Sequence, residues 1–106
     1  MYIVIETEEF ADWLDGLKEL KTRTRLRLRL RKASLGNLGD VKPVGEGVFE
    51  MREFFGPGWR LYYVMRDGVA IFMLGGGDKS TQARDIERAK QTALELQDAQ
   101  DQDPTV

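Results

Sequence analysis

The sequence predicts an α+β domain with a largely antiparallel sheet, in the order β-α-α-β-β-β-β-α. Three observations carry this. Near the start, apolar residues recur at helical spacing. In the centre, Phe49 to Tyr63 (FEMREFFGPGWRLYY) is an aromatic, apolar stretch interrupted by Gly56-Pro57-Gly58. Towards the end, a helical stripe follows the run Gly75-Gly76-Gly77. With 106 residues, 42% of them hydrophobic, the chain suits one domain with a single modest core. It shows no internal repeat.

Tyr2 to Ile5 is apolar and mostly β-branched, which predicts a first strand. Thr7 suits an N-cap, and Glu8 and Glu9 suit the positive end of a helix dipole. Phe10, Trp13, Leu14 and Leu17 then fall at i, i+3, i+4 and i+7, one face of a helix packed on the core.

The next run, RTRLRLRLRK over 23–32, is ambiguous. Strict Arg/Leu alternation fits a half-buried strand, yet both residues are good helix formers. We read a helix, because Leu17, Leu20 and a Gly36 stop fit an αα-hairpin. Leu26, Leu30 and Ala33 then share its inner face and Leu28 lies outside among arginines.

The stretch 36–40 (GNLGD) reads as a loop. Val41 to Val44 reads as an edge strand, because Pro43 cannot donate to a central ladder. Gly45-Glu46-Gly47 turns the chain into the central hairpin. There Gly-Pro-Gly marks the turn, since proline presets φ and glycine accepts positive φ. A three-residue loop at 56–58 would pair Phe55 with Trp59, with 52 facing 62 and 54 facing 60. Because side chains alternate with period two, Arg52, Arg60 and Tyr62 then share one face, opposite a hydrophobic face. Glu50 and Glu53 are the nearby acids that Arg52 could pair with.

Asp67-Gly68 predicts a tight hairpin turn, and Val69 to Leu74 a strand buried on both faces or at the sheet centre. Gly75-Gly76-Gly77 reads as a tight turn with close backbone approach to the sheet. Asp78 can N-cap the last helix, whose apolar stripe is Ala83, Ile86, Ala89, Ala93 and Leu94 or Leu96. The expected domain is 1–97. Residues 98–106, with three acids and no base, are expected to form a disordered tail.

Composition narrows the chemistry. Without cysteine there is no disulfide and no thiolate metal site. Without histidine the commonest general base and metal ligand are missing. No carboxylate grouping makes a convincing metal cage, and neither metal nor cofactor is expected. No signal peptide or long apolar run is seen, so the cytoplasm is the expected compartment and no membrane partner is implied.

The net charge of −2 conceals an asymmetry. Residues 1–17 carry five acids and no base, whereas 18–97 hold all 16 bases against ten acids. Such a core can meet a polyanion. The run Lys18 to Lys32, with eight cations and one acid, includes Arg27 and Arg31 as candidate RNA contacts. Arg52, Arg60, Tyr62 and Lys79, with Lys42 on the neighbouring strand, could form a cationic patch over the sheet. Arginine gives bidentate contacts to phosphate, lysine can act as a base when its pKa is lowered, and Tyr62 could stack on a base. The glycine run before Lys79-Ser80 is not a nucleotide-binding loop, because Asp78 stands where that motif needs glycine. Lys79 at a helix N-terminus nonetheless suits a phosphodiester.

The stretches GNLGDVKPVGEGVFEMREFFGPGWRLYY and LGGGDKSTQARDIERAK, with FADWLDGL and the basic run before them, resemble the addiction-module killer proteins. These are HigB-like toxins of the RelE/ParE type II toxin–antitoxin superfamily. The resemblance spans about residues 2–96 and rests on GD-x-K, GPG-[WY]-R and GGGDKS-x-Q-x-x-DI. It implies the RelE-like α+β fold and a helix for the Arg/Leu run. It implies a metal-independent mRNA interferase acting on mRNA on the ribosome. The motif positions that carry this role are Lys42, Arg52, Arg60 and Lys79, with Tyr62 added from the hairpin register. The implied partner is a protein antitoxin, typically a helix-turn-helix protein, through which alone operator DNA would be met. The ParE branch shares the fold but targets DNA gyrase. A third reading is a module acting mainly in antitoxin-mediated operon repression.

Overall fold

The computed structural model describes residues 1–101. The order is β1 (Ile3–Glu6), α1 (Glu8–Asp15), α2 (Leu20–Ser34), β2 (Val41–Gly45), β3 (Val48–Glu53), β4 (Trp59–Arg66), β5 (Ala70–Asp78), a 3₁₀ turn (Lys79–Thr81) and α3 (Gln82–Asp101). This is the predicted α+β succession with one short turn added. The five strands lie in the order β1-β5-β4-β3-β2, antiparallel except for the parallel pair β1–β5. No helix among the described residues is long and apolar enough to cross a membrane. Of the expected tail, 98–101 continue α3, and 102–106 lie outside the described residues.

Local signals explain most boundaries. Thr7 Oγ1 accepts from the Phe10 amide at 3.2 Å, capping α1. The Arg/Leu run is helical, and its alternation is incidental. The buried residues Leu26, Arg29, Leu30 and Ala33 follow i, i+3, i+4, i+7. Gly36, with φ +103°, ends this helix, its amide donating to the Ala33 carbonyl. Leu28 is exposed, as its place on the outer face requires. Asp67 and Gly68 both take positive φ, the conformation of a tight hairpin turn. β2 is an edge strand, which accommodates Pro43.

The sheet is covered on both faces. On one, Phe10 and Leu14 of α1 and Leu26, Leu30 and Ala33 of α2 pack on Met51, Leu61, Tyr63, Ile71 and Met73. On the other, Ala89 of α3, flanked by Ile86, Ala93 and Leu96, packs on Val48, Tyr62, Val64 and Leu74. Truncating any of the fully buried leucines to alanine would cost about 2–5 kcal/mol. The stripe expected on α3 is thus corrected at Ala83, which is exposed, and of Leu94 and Leu96 it is Leu96 that packs.

Two further expectations are corrected. The central hairpin pairs Arg52 with Arg60 and Glu53 with Trp59. Its loop is therefore 54–58 rather than 56–58, so Phe54 and Phe55 leave the ladder. The shift is by two residues per pair, so the faces keep their parity. The run Gly75-Gly76-Gly77 is not a turn but part of β5, which continues to Asp78. A Cβ on Gly76 would come within 2.3 Å of the Trp13 ring, and one on Gly77 within 2.0 Å of Asp85 Oδ2. Close approach, not turning, requires these glycines.

Candidate functional site

Cations gather at the tip of the β3–β4 hairpin. The register sets Arg52 directly opposite Arg60, on the face that α3 also covers. Like charges facing each other across a ladder repel. Each therefore has a carboxylate. Arg52 Nη2 donates to Asp40 Oδ1 at 3.1 Å, and Arg60 Nε lies 3.6 Å from Glu50 Oε1. Glu53 is taken by Arg29, so neither acid expected for Arg52 serves it.

Lys79 enters from the end of β5. On that strand Gly77 pairs with Arg60 and Asp78 with Trp59. Asp78 Oδ1 accepts from the Ser80 amide at 2.8 Å, which caps the 3₁₀ turn that presents Lys79 to solvent. The two hydrogen bonds from Ser80, hydroxyl and amide, hold the Asp78 carboxyl below its ordinary range. Gly58, with φ +81°, lies where these parts converge. A Cβ there would be 3.7 Å from both Arg60 Nη1 and Lys79 Cβ. Phe54 projects from the loop beside both arginines, its ring centroid 5.6 Å from Arg52 Cζ and 5.9 Å from Arg60 Cζ. Lys42 is exposed on β2, paired in register with Glu50.

Not every candidate joins this patch. Tyr62 is on the expected face but is 0% exposed, because α3 packs over it. It cannot stack on a base there. Burial, then the nearby carboxylates of Glu50 and Asp85, push its phenol well above the ordinary value. Its hydroxyl lies near the Glu50 carboxylate but makes no hydrogen bond of good geometry. Arg60 is also mostly buried, its side chain 8% exposed. Arg27 and Arg31 lie on the outer side of α2, across the sheet from Arg60, so they do not extend the patch. Arg27 is bound there to Glu6 and Asp15. Against the desolvation of its partial burial, these carboxylates raise its pKa.

Three residues escaped the sequence reading. Arg29 is buried under the loop, where Nη1 donates to the Arg52 carbonyl and to Glu53, and Nη2 to the carbonyls of Leu38 and Asp40, each at 2.9 Å. It fixes the 38–40 loop to the end of β3 and so places Asp40 beside Arg52. Gly39 makes room, since a Cβ there would lie 2.9 Å from Arg29 Cζ. The available signal was the helical stripe through 26, 29, 30 and 33. Asp40 depends on loop geometry and had none, whereas strand alternation put Phe54 on the Arg52 face without assigning it a role.

A groove of about 970 Å³ runs between α1 and α3 over Gly75–Gly77. Its lining holds six carboxylate residues and two arginines, an unsuitable lining for phosphate. One arginine, Arg88, reaches Glu9, which also accepts from Thr92 Oγ1 at 2.7 Å, so α3 is tied to α1. Among the described residues no three or more acidic side chains gather as a metal site.

The five-stranded sheet with α1 and α2 on one face and α3 on the other has the fold of the RelE toxins. The isolated Escherichia coli RelE toxin superposes with a TM-score of 0.62 at 17% identity, over 83% of this chain and 98% of that one. A mutant of E. coli RelE in the free state gives 0.62 at 18% over 79% and 90%, and a chain of the intact E. coli RelBE toxin–antitoxin complex 0.59 at 17% over 74% and 96%. No family model matches the sequence. A protein of Haemophilus influenzae strain Rd, described as uncharacterized, is 43% identical over 97 residues, 91% of this chain and 98% of that one. The chain belongs to the same family as that protein.

Proposed function

We propose that this chain is the toxin of a type II toxin–antitoxin pair and an mRNA endonuclease that acts on the ribosome. Residues 1–97 form the toxin domain in this reading. The convergence of Arg52, Arg60 and Lys79 at one hairpin tip carries it, on a fold shared with the RelE toxins. Cleavage without histidine needs a base to take the 2′-OH proton. The 2′ oxygen then bonds to phosphorus, the bond to the 5′ oxygen breaks, and that oxygen takes a proton from an acid, a lysine ammonium or water. Lys79 or Lys42 serves as base or electrostatic aid. Arg52 and Arg60 hold the negative charge that builds on the phosphorane. The antitoxin is a helix-turn-helix protein, and the HigB-like motifs favour that assignment. Operator DNA is met only through it.

One observation favours a ParE-like toxin that binds gyrase. Arg60 is buried and already faces Glu50, which leaves fewer free cations for phosphate.

The deciding experiment adds the purified chain to a ribosome-dependent translation reaction and, separately, to a gyrase supercoiling assay. The expected result is mRNA cleavage only when ribosomes are present, with supercoiling unaffected. Lys79→Ala, at an exposed position, should fold normally and cut about 10²–10³-fold more slowly. Intact mRNA together with blocked supercoiling would overturn the nuclease reading in favour of gyrase.

A further inference from the structure

The hairpin places one aromatic ring where a nucleic-acid base would need it. The central stretch is rich in aromatics, and its other rings are engaged. Phe49 stacks on Tyr63 at 5.5 Å between centroids, Trp59 meets the edge of Trp13 at 6.2 Å, and Arg25 lies 3.8 Å over the Phe55 ring. Tyr62 is sealed under α3. Phe54 is 70% exposed, and it is the one large aromatic so exposed among the described residues.

A single exposed apolar side chain is ordinary. Phe54 differs in its neighbours, because the guanidiniums of Arg52 and Arg60 both come within 6 Å of its ring centroid. Cation–π attraction at an exposed site is weak and does not by itself explain leaving so much apolar surface in water. An aromatic face beside two arginines is, however, the arrangement that holds single-stranded nucleic acid. The ring stacks on a base of any sequence and the guanidiniums take the adjoining phosphates. The loop is also stiffened. Pro57 presets one φ, and Gly56 and Gly58 take positive φ on either side. At Pro57, then, less freedom is left to be lost on binding.

We infer that Phe54 is the stacking platform for a base of single-stranded RNA, with Arg52 holding a phosphate beside it and the buried Arg60 adding positive charge beneath the ring. This role rests on the nuclease reading and moves to Phe54 the task that the sequence suggested for Tyr62.

The test uses a short oligoribonucleotide carrying 2-aminopurine, whose fluorescence falls when it stacks, titrated into the full-length protein at low salt. The wild-type chain should bind and quench it. Phe54→Ala should lose the quenching and bind roughly 5- to 150-fold more weakly. Phe54→Trp should restore both, and Phe54→Leu, apolar but not aromatic, should not. The exposed position leaves folding intact, which circular dichroism verifies. If wild type binds and Phe54→Ala binds and quenches equally, the stacking role is wrong and the nuclease reading stands. If the wild-type chain binds no RNA and cuts none on the ribosome, both fall together.

Discussion

Arg60 Nε faces Glu50 Oε1 at 3.6 Å beneath the start of α3, and Gln82 Nε2 donates to the other oxygen of Glu50 at 2.8 Å. Both ionic side chains are almost fully buried, with Glu50 1% exposed. Removing one member of such a pair strands the other charge, whereas replacing both by apolar groups can cost little.

Arg60→Met alone should therefore lower stability by about 3–5 kcal/mol, and Glu50→Leu alone by a similar amount. The double variant should recover most of the loss. Urea denaturation of the four proteins measures the coupling. Simple additivity of the two single effects would refute the buried pair. Loss of activity in Arg60→Ala would then need a stability control before it is assigned to catalysis.

The three glycines of β5 should respond unequally to alanine. Gly76→Ala meets the Trp13 ring and Gly77→Ala meets Asp85, so each should lose about 1–3 kcal/mol through overpacking. Gly75 has nothing within 4 Å of a built Cβ, and Gly75→Ala should stay within about 0.5 kcal/mol of wild type. Equal losses at all three positions in thermal unfolding would show that the tight approaches of Trp13 and Asp85 are not what selects glycine.

Tyr62→Phe should change stability little, because the buried hydroxyl it removes only approaches Glu50 and makes no hydrogen bond of good geometry. It should also change the pH response. In the unfolded chain a phenol ionises near pH 10, roughly the free value. In the fold Tyr62 holds its proton to higher pH, so above pH 10 the native state binds more protons than the unfolded one. Stability is then fully present below about pH 10 and is lost as pH rises through the folded pKa. Tyr63, whose pKa burial also raises, acts in the same sense. Denaturation between pH 9 and 11 should show a shallower fall in Tyr62→Phe than in wild type. An unchanged slope would mean that Tyr62 is not the desolvated group.

Much of the site was visible in the chain, for a local reason. Side chains on a strand alternate, so Arg52 and Arg60 share a face whether the loop has three residues or five. The Gly-Pro-Gly and Asp-Gly turns, the Thr7 cap and the Gly36 stop are also local, and each is found where its chemistry requires it. The Arg/Leu run resisted this treatment. Alternation and helical spacing are both satisfied by it, and packing against Met51 and Leu61 selects the helix.

Exposure was not visible, because it depends on what packs against a face from elsewhere in the chain. Tyr62 and Phe54 both looked available on the Arg52 side of the hairpin. Ala89 and Ile86 of α3, more than 20 residues downstream, seal Tyr62, whereas Phe54 lies in the loop and remains in solvent. Glu50 and Arg29 were charged residues of no obvious depth, and α3 and the 38–40 loop made them buried partners. By itself, then, the sequence determined the order of elements outside the Arg/Leu run and the sidedness of the hairpin strands, since those follow from spacing and turn chemistry. Only the tertiary structure decided which of the basic and aromatic side chains meet solvent, since burial is set by contacts between segments far apart in the chain.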